Sequence, residues 1–345
     1  MNVQINDCTI RDGGYLLDKN SPEEFVRGVV NGLLTSGIEI IEIGFLQDIS
    51  NNESIVFGDS LGARKYVPAG CASRFTGFCD NSRYSLEKLD RCDGKAFEYL
   101  RISFAKHEEE EALKFIAGAK EKGYKVFANP MDAPSYSAEE RSKMISRVND
   151  IKPYAFSIVD TFGVMYLDDL RNIFSQVNME LDPAIRIGLH SHNNLQLSNA
   201  LAESVIEMAA RADRDIAVDG SLYGMGRGAG NASTEVIADY MNKKYGTHYD
   251  LGEIFDTIEN YIIPCMNSCS WGYNLPVFIC GTEGSHVDNI SYLRRTGAFS
   301  SREIQGILSG LAPEKRRRYG KGYSKTDFSA LESACRRYMS EGGRG

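Results

Sequence analysis

Over the first 245 or so residues the apolar positions keep switching between two periods. A short run rich in β-branched and aromatic residues comes first, then a polar turn, then a longer stretch with apolar residues every three or four positions. That is the sequence form of a βα unit. The spacing predicts strands over 3–10, 38–44, 75–79, 97–104, 125–129, 155–159, 185–190 and 216–219. It predicts helices over 22–36, 54–66, 85–90, 108–122, 138–150, 167–178, 194–211 and 233–245. Ser21 is placed to cap the first of these and Pro22 to occupy its first position. Eight strands alternating with eight helices suit an α/β fold of the (β/α)8 barrel kind, which needs about 250 residues. A doubly wound open sheet normally has fewer strands and a glycine-rich first turn.

After residue 246 the rhythm stops. A helix is expected over 249–263, then a turn-rich stretch with Cys269, Trp271, Gly272, Pro276 and Gly281, then polar helices over 301–308, 313–319 and 324–339 and a fraying tail at 342–345. The chain therefore divides into a barrel, 1–245, and a mainly helical C-terminal extension, 246–345. With 42% hydrophobic and 25% charged residues and a net charge of −8, the 345-residue chain has the make-up of a globular protein and lacks a broad basic face for nucleic acid. The local exception, Lys315-Arg316-Arg317-Arg318, suits either a solvated helix end or an anionic group. The eight cysteines are scattered without a Cys-x-x-Cys pair, and no run of 18 apolar residues occurs. Reduced thiols, a cytoplasmic location and no membrane span are the expectation.

Barrel chemistry sits at the C-terminal ends of the strands, where the loops converge. Four such places carry polar residues. Asp7-Cys8-Thr9-Ile10-Arg11-Asp12-Gly13-Gly14-Tyr15 pairs a hard oxygen ligand with a guanidinium able to hold a carboxylate or enolate, although a plain surface pair at a turn reads the same way. In His190-Ser191-His192 two imidazoles two residues apart point to one side of a strand. The loop from Asp219 to Asn231 holds five glycines, which let backbone amides approach a ligand or serve conformation alone. Asp160-Thr161 follows the sixth strand, where Asp160 either orients a ligand or caps the next element. Glu42, Arg101, Ser103 and Asn129 are further strand-end candidates. One carboxylate and two imidazoles at a barrel mouth suit an octahedral Mn²⁺ or Mg²⁺, and less well Zn²⁺ or Co²⁺. Such an ion polarises a carbonyl and stabilises an enolate, which points to carbon–carbon bond chemistry on a 2-oxo acid.

The pieces Asp7–Gly13, Asp160–Gly163, His190–Asn194 and Gly224–Asn231, in this order, resemble the metal-dependent barrel superfamily of 3-hydroxy-3-methylglutaryl-CoA lyase, isopropylmalate synthase and 4-hydroxy-2-oxovalerate aldolase. The loop at 224–230 lacks the cysteine of the first branch, and the length and helical extension are most similar to the aldolases. The resemblance implies Asp12, His190 and His192 as metal ligands, Asn231 as a further ligand or close neighbour, and Arg11 as the partner of the enolate. Asp160, Thr161, Arg101 and Asn129 are the expected substrate contacts. Two positions depart from the aldolase pattern. Tyr15 stands where those enzymes have a histidine base, and His286 occupies the region of their C-terminal tyrosine.

The expected reaction is retro-aldol cleavage of a 4-hydroxy-2-oxo acid, or its reverse, with Tyr15 or His286 taking the hydroxyl proton directly or through water. The same residues would serve a Claisen-type acyltransferase that condenses acetyl-CoA with a 2-oxo acid. A non-catalytic binding or scaffold barrel is the reading from another class. The resemblance also allows an aldehyde dehydrogenase partner, and the chain is compatible with a homo-oligomer.

Overall fold

The computed structural model describes residues 1–48, 54–297, 299–318 and 327–340. Eight parallel strands close into a barrel: β1 (Val3–Asp7), β2 (Ile40–Leu46), β3 (Arg74–Asp80), β4 (Tyr99–Phe104), β5 (Lys125–Pro130), β6 (Ala155–Asp160), β7 (Arg186–Ser191) and β8 (Ile216–Gly220). Closure comes from β1, which pairs with β8 from Val3↔Ile216 to Asp7↔Gly220 and with β2 at Asn6↔Ile40 and Asp7↔Ile41. A short buried helix, α1 (Thr9–Gly14), follows β1 at the mouth, and longer helices lie between the strands on the outside: α2 (Glu23–Thr35), α3 (Glu109–Glu121), α4 (Ala138–Ile151), α5 (Leu167–Glu180), α6 (Ser198–Ala212) and α7 (Thr234–Tyr245).

The periodic signal fails where local pairing outweighs it. The first strand ends at Asp7 instead of residue 10, because the chain winds at Thr9 into α1. The helix expected over 54–66 is replaced by Val56–Phe57, which pairs with β2, and a tight 3-10 segment at Leu61–Tyr66. β-Branched and aromatic residues gain more as a buried sheet edge here than as a helix turn. Residues 85–90 form only the single turn Leu86–Lys88. The capping expectation also fails: α2 starts at Glu23 with Pro22 before it, and the buried Ser21 hydroxyl makes no hydrogen bond among the described residues.

Beyond the barrel, α8 (Leu251–Thr257) continues through a wide π turn into Ile263–Cys265, and its Ile254, Ile258 and Ile262 sit in the barrel's own core. The supposed turn-rich stretch contains a helix, α9 (Leu275–Glu283), with Pro276 harmless in its first turn. It packs with α10 (Val287–Thr296), α11 (Ser301–Ser309) and α13 (Ser329–Ser340) around a second small core including Cys280, Leu293, Ile307 and Leu331, with the short α12 (Pro313–Arg317) outside it. The tail at 342–345 lies outside the described residues. No helix among the described residues is long and apolar enough to cross a membrane.

In the basic run Lys315 stays exposed at the helix end, whereas the three arginines after it are engaged by the protein. Arg316 pairs with Glu283 at 3.1 Å, Arg317 reaches Asp132 of the barrel at 3.3 Å, and Arg318 stacks on Phe328 at 3.9 Å. Arg316 and Arg318 thus tie the small helical part to itself, and Arg317 joins it to the barrel mouth.

Candidate active site

The change of β1 into α1 sets the site. Because α1 starts immediately beyond the strand, Arg11 and Asp12 turn into the barrel and become buried. They line a pocket at the C-terminal mouth together with Tyr15, Arg101, Asn129, Thr161, His190 and His192. Ser103 lines it too, so nine of the sequence-derived candidates meet at one cavity. Asn231 stands just behind it, its Nδ2 donating to Asp12 Oδ2 at 2.9 Å. The carboxylate of Asp160 turns away and accepts the amides of Val164 and Met165 at 2.9 and 3.0 Å, so this residue shapes the loop and does not line this pocket. His286 lies in an adjoining recess that shares Thr161 and His192 with the main pocket.

Each imidazole is fixed by its inner nitrogen. His190 Nδ1 lies 2.8 Å from Asp219 Oδ2, and His192 Nδ1 lies 3.1 Å from the main-chain oxygen of Asp160. With the proton on Nδ1, each ring presents an unprotonated Nε2. His190 Nε2 is 3.7 Å from Asp12 Oδ2, and the two rings stand 5.0 Å apart at right angles. Burial, with help from His190, pushes the His192 imidazole down to about 3. Burial acts to raise the Asp12 carboxyl, but Arg11, His190, His192 and Arg227 outweigh it and hold the group well below the usual carboxylate range. An ionised Asp12 carboxylate beside a neutral His192 imidazole is the protonation state a metal requires. A second sign is Asn231 Oδ1, buried and without a partner among the described residues. Such an orphaned oxygen fits a cation beside Asp12. The residues present therefore suit a divalent ion.

Behind the ligand atoms runs a buried ionic chain. Arg11 Nε donates to Glu42 at 2.7 Å, Arg101 bonds the same Glu42 oxygen at 3.1 Å and also pairs with Asp219, and Asp219 holds His190. Arg11 pairs directly with Asp12 and lies over the Phe78 ring at 4.6 Å. Asn129, oriented to suit its neighbours, accepts from Arg101 Nη2 at 2.8 Å. Arg101 and Asn129 thus form the pocket floor and carry its electrostatic balance.

The phenol of Tyr15 is raised by burial, although Arg227 and Arg11 oppose this, so it is protonated at neutral pH and acts as a donor. His286 caps α10, its Nδ1 accepting from the Asp288 amide at 3.1 Å. The neutral ring then carries its proton on Nε2 and is a donor too. The sequence reading did not single out Cys8, Asp219 or Arg227. Cys8 lies with Asp12 and His190 in a group whose ligand-type atoms fall within 4.8 Å of one another, but burial raises its thiol and Sγ donates to the Gly220 carbonyl at 3.1 Å. Asp219 could have been found as the inward residue at the end of the last strand. Arg227, the lone cation among the loop's glycines, stacks over Tyr15 at 4.2 Å.

The HMGL-like family model matches residues 99–260. The chain is 28% identical over 76% of its length to a 4-hydroxy-2-oxovalerate aldolase of Thermomicrobium roseum, of which the match covers 73%. It is 27% identical over 73% of its length to an oxaloacetate decarboxylase of Mycobacterium tuberculosis, of which 74% is covered. Among solved structures it is similar to the N-terminal domain of a Bacteroides vulgatus protein, with a TM-score of 0.72, 23% identity, and coverage of 85% of this chain and 98% of that one. The last of these bears on the fold alone, and it agrees with the barrel. Residues 99–260 are thus similar to the HMGL-like family, and the converging acid, imidazoles and arginines lie at the mouth of the barrel to which that stretch contributes.

Proposed function

We propose that this protein is a divalent-metal-dependent carbon–carbon lyase that cleaves a 4-hydroxy-2-oxo acid to pyruvate and an aldehyde. The observation that carries this reading is the convergence of Asp12, His190 and His192 beside Arg11 in one buried pocket. The aldolase and decarboxylase names of the relatives support the same reaction class. Asp12, His190 and His192 would hold the metal, with Asn231 Oδ1 as a further oxygen. When bound, a Mn²⁺ or Mg²⁺ ion polarises the 2-oxo group and lowers the cost of an enolate.

The remaining roles belong to the chain itself. Arg11, kept rigid by Glu42 and Asp12, supports the negative charge that grows on the ketone oxygen as the C3–C4 bond breaks. Arg101 pairs with Glu42 and keeps Asp219 ionised, and through Asp219 it fixes the His190 tautomer. Thr161 and the pocket floor position the acid. Tyr15 donates to the 4-hydroxyl oxygen and orients it, while the hydroxyl proton leaves to water in the mouth. His286 acts as a donor from the recess and not as the base.

The test is deuterium exchange at C3 of pyruvate, followed by NMR with Mn²⁺ or Mg²⁺ supplied, together with pyruvate release from 4-hydroxy-2-oxo acids. Exchange and release that stop on chelation are the expected result. Thiol release from acetyl-CoA with a 2-oxo acid, in the absence of any cleavage, would replace the lyase by a Claisen-type enzyme.

A further inference from the structure

The proton that leaves the 4-hydroxyl needs a final acceptor, because water alone is too weak a base to hold it at neutral pH. Most polar groups that line the mouth pocket are otherwise committed. Asp12, His190 and His192 would hold the metal, and Tyr15 keeps its own proton. Arg11, Arg101 and Arg227, the last of which also lines the adjoining recess, are cations. The remaining carboxylate in the pocket wall, among the described residues, is that of Asp80.

Asp80 is the last residue of β3, and the strand aims it. Side chains two apart on a strand share a face. Phe78 faces inward under the Arg11 guanidinium at 4.6 Å, so Asp80 points the same way, one step nearer the opening. It sits opposite Ser103 of β4, another residue of the pocket wall. The carboxylate is held in place: Oδ1 accepts from the Ser82 amide at 3.1 Å and from the Ser82 hydroxyl at 2.6 Å, and Oδ2 lies 3.2 Å from Arg83 Nε. A carboxylate has about four lone-pair sites. Three are engaged here, which leaves one on Oδ2 for a proton. The side chain is 27% exposed, so water reaches it. Arg83 is also among the cations that act on the Tyr15 phenol, which places the Asp80–Arg83 pair near the group that orients the 4-hydroxyl.

We infer that Asp80 is the general base of the cleavage, taking the 4-hydroxyl proton through one water of the mouth. The inference rests on the lyase reading and names the base for it. As the C3–C4 bond breaks, the O–H electron pair becomes the second bond of the aldehyde carbonyl, and the C3–C4 pair stays on C3 as the pyruvate enolate. The hydroxyl proton goes to the water, which gives one of its own to Asp80 Oδ2. C3 then takes up a proton from solvent and Asp80 returns its proton to solvent, so the protein ends as it began. In the reverse direction, protonated Asp80 supplies the proton to the aldehyde oxygen through the same water.

Oxaloacetate, the substrate named for one of the relatives, provides the control. Its C3–C4 bond breaks to the same enolate, with carbon dioxide as the leaving half and no hydroxyl proton to remove. The experiment measures pyruvate release from 4-hydroxy-2-oxovalerate, 4-hydroxy-2-oxoglutarate and oxaloacetate by wild type, Asp80→Asn and Asp80→Glu, with Mn²⁺ supplied and the protein-free rate subtracted. Asp80→Asn should lower kcat/KM for the hydroxy acids about 100-fold or more and change oxaloacetate decarboxylation by less than about threefold, whereas Asp80→Glu, which keeps a carboxylate, loses less. Because both rates are taken on one preparation, their ratio does not depend on the fraction folded. Equal loss of both reactions in Asp80→Asn shows that Asp80 supports the pocket and is not the base, and unchanged cleavage shows that the base lies elsewhere. Either result overturns the inference, while cleavage by wild type keeps the lyase reading. Should wild type leave oxaloacetate intact, Asp80→Ala decides: formate, a free carboxylate, should raise its cleavage rate about tenfold, and no rise overturns the inference. If wild type cleaves neither hydroxy acid, the lyase reading falls and the inference with it.

Discussion

Asp219 joins the two halves of the site: one oxygen takes the Nδ1 proton of His190 at 2.8 Å, and the same carboxylate pairs with Arg101. Burial works to raise this carboxyl, but Arg101 and His190 keep it below its ordinary range, so it stays charged and holds the ring's tautomer. Asp219→Asn should therefore weaken metal affinity about 10–100-fold while leaving the ligand atoms in place, as read by metal titration. Asp12→Ala and His192→Ala remove two of the proposed ligands. Each should lose the metal by elemental analysis and lower kcat/KM by about 1000-fold or more, since several kcal/mol of charge stabilisation go with the ion. Full activity in either would count against the mechanism. At this scale the sequence was informative where chemistry and spacing coincide, as in His190-Ser191-His192. It was silent on Asp219 and Arg227, because the identity of an aspartate or arginine says nothing about which distant ring it will touch.

The loop after β8 shows how an element fixes a residue it does not contain. Gly230 has φ +81, and a Cβ there would lie 1.8 Å from the Gly224 carbonyl oxygen. The two strands of the loop close on each other at this point and present Asn231 to Asp12. Gly230→Ala should cost about 2–3 kcal/mol in urea unfolding and weaken metal binding as Asn231 shifts; an unperturbed variant would show that the turn is not needed. The five glycines were visible in the sequence, but a conformational and a ligand-facing role could not then be told apart. Strand ends were legible to within a few residues, except at β1, where the turn into α1 decides where Arg11 and Asp12 point.

On the scale of the whole molecule, the arginine clasp couples the small helical core to the barrel. Arg317 meets Asp132, whose amide in turn donates to Thr161 in the pocket wall at 2.8 Å. Burial pushes the Asp132 carboxyl up to about 6 from 3.8, with Arg317 opposing it in part. The folded state therefore holds this proton more tightly than the unfolded chain, so the group's stabilising contribution is complete below about pH 4 and is lost as the pH rises through about 6. Asp132→Asn, which cannot ionise, should gain on wild type by up to about 3 kcal/mol between pH 4 and pH 7, read from urea midpoints across that range. A gain in the opposite direction would show that the Arg317 pair outweighs burial.

The sequence by itself determined the barrel, because the alternation of two hydrophobic periods is a short-range property that each βα unit expresses separately. It also supplied the acid, the two imidazoles and the first arginine, which fall at strand ends by their position in that count. Only the tertiary structure decided that Asp219 fixes His190, that Asp160 faces away from the pocket, that Arg227 bridges two cavities and that Arg317 of the basic run clasps the barrel. Apart from the local bonds of Asp160 to Val164 and Met165, most of those contacts join residues tens to hundreds of positions apart. Barrel closure brings them together, and no local period encodes which partner each will meet.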